Sequence, residues 1–175
     1  IDLSKQTHRQ VVIDREKGQY LGHPTKVLLE DNKTMLIVYP KGHGRGGIVY
    51  KRSTDGGLTW SKRLPTPKSW ETSREVPTIH QVIDAKGTKR LIMWSGLYPA
   101  RLAVSENDGQ SWSELKSAGD WGGIVVMGCL EPVKTGKGHY MAMFHDDGRF
   151  FTSQAKQEKP VVFTLFKTFS RDGGL

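Results

Sequence analysis

Two short loops carry the residues best suited to chemistry. Lys41-Gly42-His43-Gly44-Arg45-Gly46-Gly47 joins a histidine to two cations. A histidine with a pKa of about 6.5 can exchange a proton near neutral pH. Lys41 and Arg45 could hold a carboxylate or a sulfate, and the glycines would let backbone N–H groups approach a ligand. His145-Asp146-Asp147-Gly148-Arg149 offers Asp146 and His145 as proton carriers and Arg149 as a binding cation, although Asp-Asp-Gly also reads as an ordinary hairpin turn. A third loop, Ser95 to Arg101, follows Trp94, which could stack on a sugar ring or pack in a core. His23, just before Pro24, could line a pocket or be satisfied structurally. No P-loop, H-E-x-x-H pair or cysteine pair occurs, so no metal or cofactor is expected.

Composition narrows the partners. The chain has 175 residues, a net charge of +8, 36% apolar and 9% aromatic residues, and 20 glycines. With a mean hydropathy of −0.50, these values fit a turn-rich globular protein. The charge favours acidic partners such as nucleic acid, anionic lipid or an acidic glycan. The basic residues are scattered, without the run or interleaved aromatics that a nucleic-acid groove needs, so no nucleic acid is expected. Apolar stretches such as Met35–Tyr39 fall far short of a membrane span. No charged-then-apolar leader opens the chain. Cys129 stands alone and is expected to be a buried thiol.

The elements that must position these loops are repeated. Ser53-Thr-Asp55-Gly-Gly57-Leu-Thr-Trp60 recurs as Ser105-Glu-Asn107-Asp-Gly109-Gln-Ser-Trp112, and begins again at Ser170-Arg-Asp172-Gly-Gly-Leu175. In such a turn the Asp or Asn oxygen caps backbone N–H groups and glycine takes a positive φ. The hydroxyl closes the turn, and the tryptophan packs under the next strand. Short strands are predicted over 26–29, 35–39 and 48–52, over 79–83, 91–94 and 102–105, and over 133–135, 140–144 and 161–169. Each unit is taken to open at a proline, Pro24, Pro77 or Pro132, and Val11–Ile13 reads as a stray strand. Four-stranded units repeated in this way suggest a radial all-β architecture. Trp60 and Trp112 are expected in the core, Trp70 and Trp121 at the surface.

These turns and proline openings resemble the Asp boxes and blade starts of the sialidases (neuraminidases), over about residues 20–175. The resemblance implies a six-bladed β-propeller, of which this chain supplies about three blades: residues 20–70, 74–122 and 127–175. Residues 1–19 precede them with a possible ring-closing strand. It makes Ser53, Asp55, Gly57, Trp60, Ser105, Asn107, Gly109, Trp112 and Asp172 structural. It also implies a secreted or periplasmic glycan enzyme, an exo-glycoside hydrolase acting on terminal acidic sugars. The family grips a carboxylate with three arginines and uses an aspartate acid/base. Here Leu21-Gly22-His23-Pro24 stands where the first arginine is expected, and the Lys41–Gly47 loop contains no carboxylate.

With the three units set in register on their prolines, the position of that arginine holds Gly22, Glu75 and Leu130. Glu75 would then act as an acid/base or hydrogen-bond a sugar, with Arg74 beside it; a rim ion pair is the alternative. Glu131 would lie one step off the funnel. The expected catalytic residues are therefore Glu75, His43 and Asp146. The expected substrate-binding residues are His23, Lys41, Arg45, Arg74, Trp94, Arg101, Glu131 and Arg149. Another glycosidase or polysaccharide lyase on the same scaffold, or a non-catalytic glycan-binding propeller, remains an alternative reading. The expected partners are a glycan and the remaining blades of a longer chain, or a second copy.

Overall fold

The middle strands of this fold are apolar on both sides, which is why they lack a clean alternation in sequence. In the computed structural model, which describes residues 2, 4–43, 46–74, 76–96, 98–119, 126–148 and 159–175, the strands form three antiparallel sheets. The first has the order β1-β2-β3: β1 (Thr25–Leu28), β2 (Met35–Pro40) and β3 (Ile48–Ser53). The second runs β4-β5-β6-β7: β4 (Thr78–Ile83), β5 (Lys89–Ser95), β6 (Arg101–Ser105) and β7 (Lys116–Ser117). The third has the order β10-β9-β8: β8 (Val126–Pro132), β9 (Tyr140–Asp146) and β10 (Thr164–Ser170).

The sheets are joined by two apolar layers. Leu36, Val38, Ile48 and Tyr50 of the first sheet pack with Ile79, Leu91, Met93 and Ala103 of the second. Val82, Ile92, Trp94 and Leu102 then pack with Met127, Tyr140, Ala142 and Phe144 of the third. Consecutive residues of β5 thus serve opposite layers. Burial of each large side chain is worth about 1.5–3 kcal/mol. β1 also lies beside β4, and β4 beside β8. The Thr25 hydroxyl donates to the Pro77 carbonyl and accepts from the Ile79 amide, linking the starts of β1 and β4.

The repeated turns form as local chemistry demands. The Ser53 hydroxyl donates to Asp55 and accepts the Gly57 amide, and Asp55 accepts the Thr59 amide. Ser105, Asn107, Gly109 and Ser111 repeat the pattern. Ser170, Asp172 and Gly174 repeat its first part. Trp60 packs beside Ile37, Tyr39 and Val49, and Trp112 against Tyr50 and Trp70.

Several expectations are corrected. The fold is not a six-bladed β-propeller in part: among the described residues its sheets, of three, four and three strands, are separate and none closes into a ring or barrel. Val11–Ile13 forms no strand; Ile13 and Leu21 instead cover Ile37, Tyr39 and Val49 on the first sheet. The far face of the third sheet leaves Met143, Leu165 and Phe169 exposed. Pro132 ends a strand where Pro24 and Pro77 precede one, because Val133–His139 closes the turn into β9. The proline-based register therefore fails in the third unit, and Leu130 lies within β8 against the second apolar layer. Trp70 is fully buried: a 3-10 helix, Lys68–Thr72, places its ring edge-on to Tyr50 and Trp112. Cys129 is half-buried. Trp121 lies outside the described residues.

Gly109 shows how closely the sheets approach. Its φ is +76°, and a Cβ there would sit 2.3 Å from the Tyr50 hydroxyl and 2.6 Å from Leu36 Cδ1. Gly56 has a similar φ of +74° but nothing within 4 Å. Gly56→Ala should cost about 1–2 kcal/mol, the left-handed penalty alone. Gly109→Ala should cost a further 1–3 kcal/mol or so for overpacking. Equal losses in urea denaturation would contradict this packing.

Candidate functional site

Two of the loops singled out by sequence, the one after Lys41 and the one between Ser95 and Arg101, lie at ends of the first two sheets. Lys41 follows β2 and bridges to Leu21 just before β1, while Ser95 and Arg101 are paired at the ends of β5 and β6. The 3-10 helix joins the two groups. The Glu71 Cα would lie 3.3 Å from a Cβ at Gly47. The Arg101 guanidinium donates to the Thr72 hydroxyl at 2.8 Å and to its carbonyl at 3.2 Å.

Arg101 is half-buried and Arg74 exposed. Burial, followed by the positive charge of Arg74, lowers the pKa of Arg101. Among the described residues, no carboxylate lies within 4.0 Å of either guanidinium. Two neighbouring cations favour an anion near them, and the planar guanidinium suits a carboxylate or sulfate.

A cluster of three rings stands at the first sheet's end. His23 and His43 have centroids 4.8 Å apart at 61°, and Tyr20 meets His43 at 5.6 Å, edge-on. The Tyr20 hydroxyl lies 3.5 Å from His23 Nε2. Gly22 makes room for this ring, because a Cβ there would fall 2.5 Å from the Tyr20 hydroxyl. His23 itself takes φ +50°, uncommon outside glycine. Lys41 pairs with Glu16 at 3.7 Å. Glu16 also meets Arg63, which donates to Asp14 at 2.7 Å, and the Tyr39 hydroxyl donates to the same carboxylate.

The other expected residues are dispersed. Trp94 is buried between the second and third sheets. Asp146 is buried at the end of β9, where it accepts the Gly148 amide at 2.8 Å. Glu131 is exposed near the end of β8, opposite Met141. Glu75, Arg45 and Arg149 lie outside the described residues. His43 and Asp146 therefore stand on different sheets, and no catalytic cluster joins them. Among the described residues, no group of three or more His, Cys, Asp or Glu side chains is placed to hold a metal.

Sequence reasoning passed over Tyr20, Thr72 and His80. The Tyr20 contact depends on the fold of the 20–23 segment, which has no period to read. His80 is more legible, since alternation along β4 puts it on the side of Thr78 and Val82. Its Nε2 lies 3.2 Å from Thr78 Oγ1, and burial pushes its pKa down to about 4.

No protein-family model and no curated protein matches the chain. A solved structure that does match is an N-acetylgalactosamine deacetylase from F. plautii in complex with blood group B trisaccharide. It has a TM-score of 0.46 and 16% identity over 84% of this chain and 49% of that one. The chain thus spans about half the length of that protein, and so low a score carries no inference about fold or ligand. The sialidase resemblance is not upheld, since no sialidase family model matches and the sheets form no propeller. The Asp-box assignment and the exo-glycoside hydrolase activity fall with it. What remains is a recurrent hydrogen-bonded turn.

Two titrating groups should be visible in stability. Burial opposes ionisation of Asp14, but hydrogen bonds from Arg63 and Tyr39 outweigh it and hold the pKa at about 2. His80 is depressed to about 4, from an unfolded value of about 6.5. In both cases the unfolded chain takes up the proton first, so stability rises with pH across each window. The His80 contribution should be intact above about pH 6.5 and lost toward pH 4. The Asp14 contribution should be intact above about pH 4 and lost toward pH 2. In urea titrations across this range, His80→Gln should flatten the upper window and Asp14→Asn the lower. Unchanged profiles in both variants would contradict these environments.

Proposed function

We propose that the strand-end surface around Arg101 and Arg74 binds a carbohydrate bearing a carboxylate or sulfate, without itself carrying out a reaction. The observation that carries this reading is the guanidinium pair, which has no carboxylate partner among the described residues. A bridging anion would relieve the repulsion and gain charge-assisted hydrogen bonds from both groups. The Thr72 hydroxyl and carbonyl fix one guanidinium and so limit the entropy lost on binding.

The Tyr20, His23 and His43 rings at the same sheet end suit the apolar face of a sugar. The +8 charge favours capture of an acidic ligand and makes binding weaken with salt.

The test is titration calorimetry with matched neutral, carboxylated and sulfated oligosaccharides at low and moderate salt. Acidic sugars should bind and neutral ones should not. Arg101→Ala should weaken binding about tenfold or more, as expected when a charged hydrogen bond worth about 1.5–3 kcal/mol is lost. Arg74→Ala, at an exposed position, should also weaken it. Equal binding of neutral and acidic sugars, or affinity unchanged in both variants, would contradict the proposal.

A further inference from the structure

The three rings at the end of the first sheet are brought together by the backbone. Leu21 bridges to Lys41, which sets the 20–23 segment beside the loop that follows β2. The Lys41 amide donates to the Gly47 carbonyl at 3.0 Å and closes that loop at its base, and His43 within it meets both His23 and Tyr20. His23 reaches the cluster from a φ of +50°, and Gly22 leaves no Cβ to collide with the Tyr20 hydroxyl. Backbone held in a sparsely populated region is a feature of sites where the position of a side chain matters. All three residues are exposed, so burial does not offset that strain.

The spacing of these side chains matches a coordination shell. An imidazole that binds a metal at about 2.0–2.1 Å has its ring centre about 3.2 Å from the ion, so two such rings at about 90–110° have centres about 4.5–5.2 Å apart. The His23 and His43 centres are 4.8 Å apart. Neighbouring donors on a tetrahedron of that size are about 3.3–3.4 Å apart. The Tyr20 hydroxyl and His23 Nε2 are 3.5 Å apart, long for a hydrogen bond between them. Edge-on ring packing accounts for the first distance alone; a shared ion accounts for both. Among the described residues, neither imidazole is paired with a carboxylate. Lys41 is paired with Glu16 at 3.7 Å, which moderates its repulsion of a metal.

We propose that His23, His43 and the Tyr20 hydroxyl hold a late first-row divalent cation, with water completing its shell. Imidazole donors suit copper and zinc, whereas calcium and magnesium need carboxylate and carbonyl oxygens that these three side chains do not supply. The order of affinities among such cations places copper above zinc. The site shares its rings with the sugar-binding reading but not the guanidinium pair that carries it.

The probe is Cu2+, with Zn2+, Mg2+ and Ca2+ beside it, titrated calorimetrically into the intact chain near neutral pH. Cu2+ should bind saturably with a Kd of about 10 µM or tighter, Zn2+ more weakly, and Mg2+ and Ca2+ not at all. The electron paramagnetic resonance spectrum of the copper form should show coupling to two imidazole nitrogens, and His43→Ala should reduce it to one. His23→Ala and His43→Ala should each weaken binding about tenfold or more, and Tyr20→Phe about threefold. Absence of saturable copper binding, binding that survives both histidine replacements, or an affinity untouched by Tyr20→Phe would overturn the proposal. Arg101→Ala should leave copper binding unchanged. Failure to bind metal leaves acidic-sugar binding standing, so the two readings fail separately.

Discussion

The hydroxyl of Ser105 donates to Asn107 and accepts the Gly109 amide, and the Gly109 carbonyl thereby set in place accepts the Tyr50 hydroxyl from the sheet before it. Arg52 adds a second bond across the same junction, to the Asp108 carbonyl. The third turn docks likewise on the second sheet: a Cβ at Gly173 would lie 3.0 Å from the Asp84 Cα, and one at Gly174 would lie 3.0 Å from Ile92. A turn that closes one sheet is thus also the surface that fits the preceding one. Glycine is required there because φ is positive and backbone must lie flat on a side chain.

This coupling leaves the opposite ends of the first two sheets free of packing duties. Polar and charged residues can gather there at little cost to the apolar layers. The Ser73 and Ser95 hydroxyls, buried and 3.0 Å apart, support the ends of the second sheet beneath that surface. Arg101 is held from below by Thr72, so its charge is presented rather than neutralised.

Much of the local structure was legible. The three copies of the serine turn announced the hairpins, because Ser, Asp or Asn and Gly at those spacings satisfy their own backbone. The middle strands were readable from dense apolar runs. Higher-order geometry was not legible: identical turns fix how neighbouring sheets stack, and do not dictate that the stack closes on itself. Pro132 misled because proline suits the end of an edge strand as well as its approach. Trp70 misled because its polar neighbours face solvent while a single turn of 3-10 helix directs its ring inward. Of the candidate site, the cations of Lys41 and Arg101 were visible, but the nearness of Arg74 to Arg101 and the bonds that hold Arg101 on Thr72 depend on the path of the chain through the 3-10 helix, which no spacing reveals.

Residue-resolved amide hydrogen exchange tests the turn-to-sheet coupling most directly. The Gly109 amide, in a loop by sequence, should exchange as slowly as amides of the buried strand β5 such as Met93, and Tyr50→Phe should accelerate it. Exchange of Gly109 at the rate of an exposed loop, unaffected by Tyr50→Phe, would contradict the account.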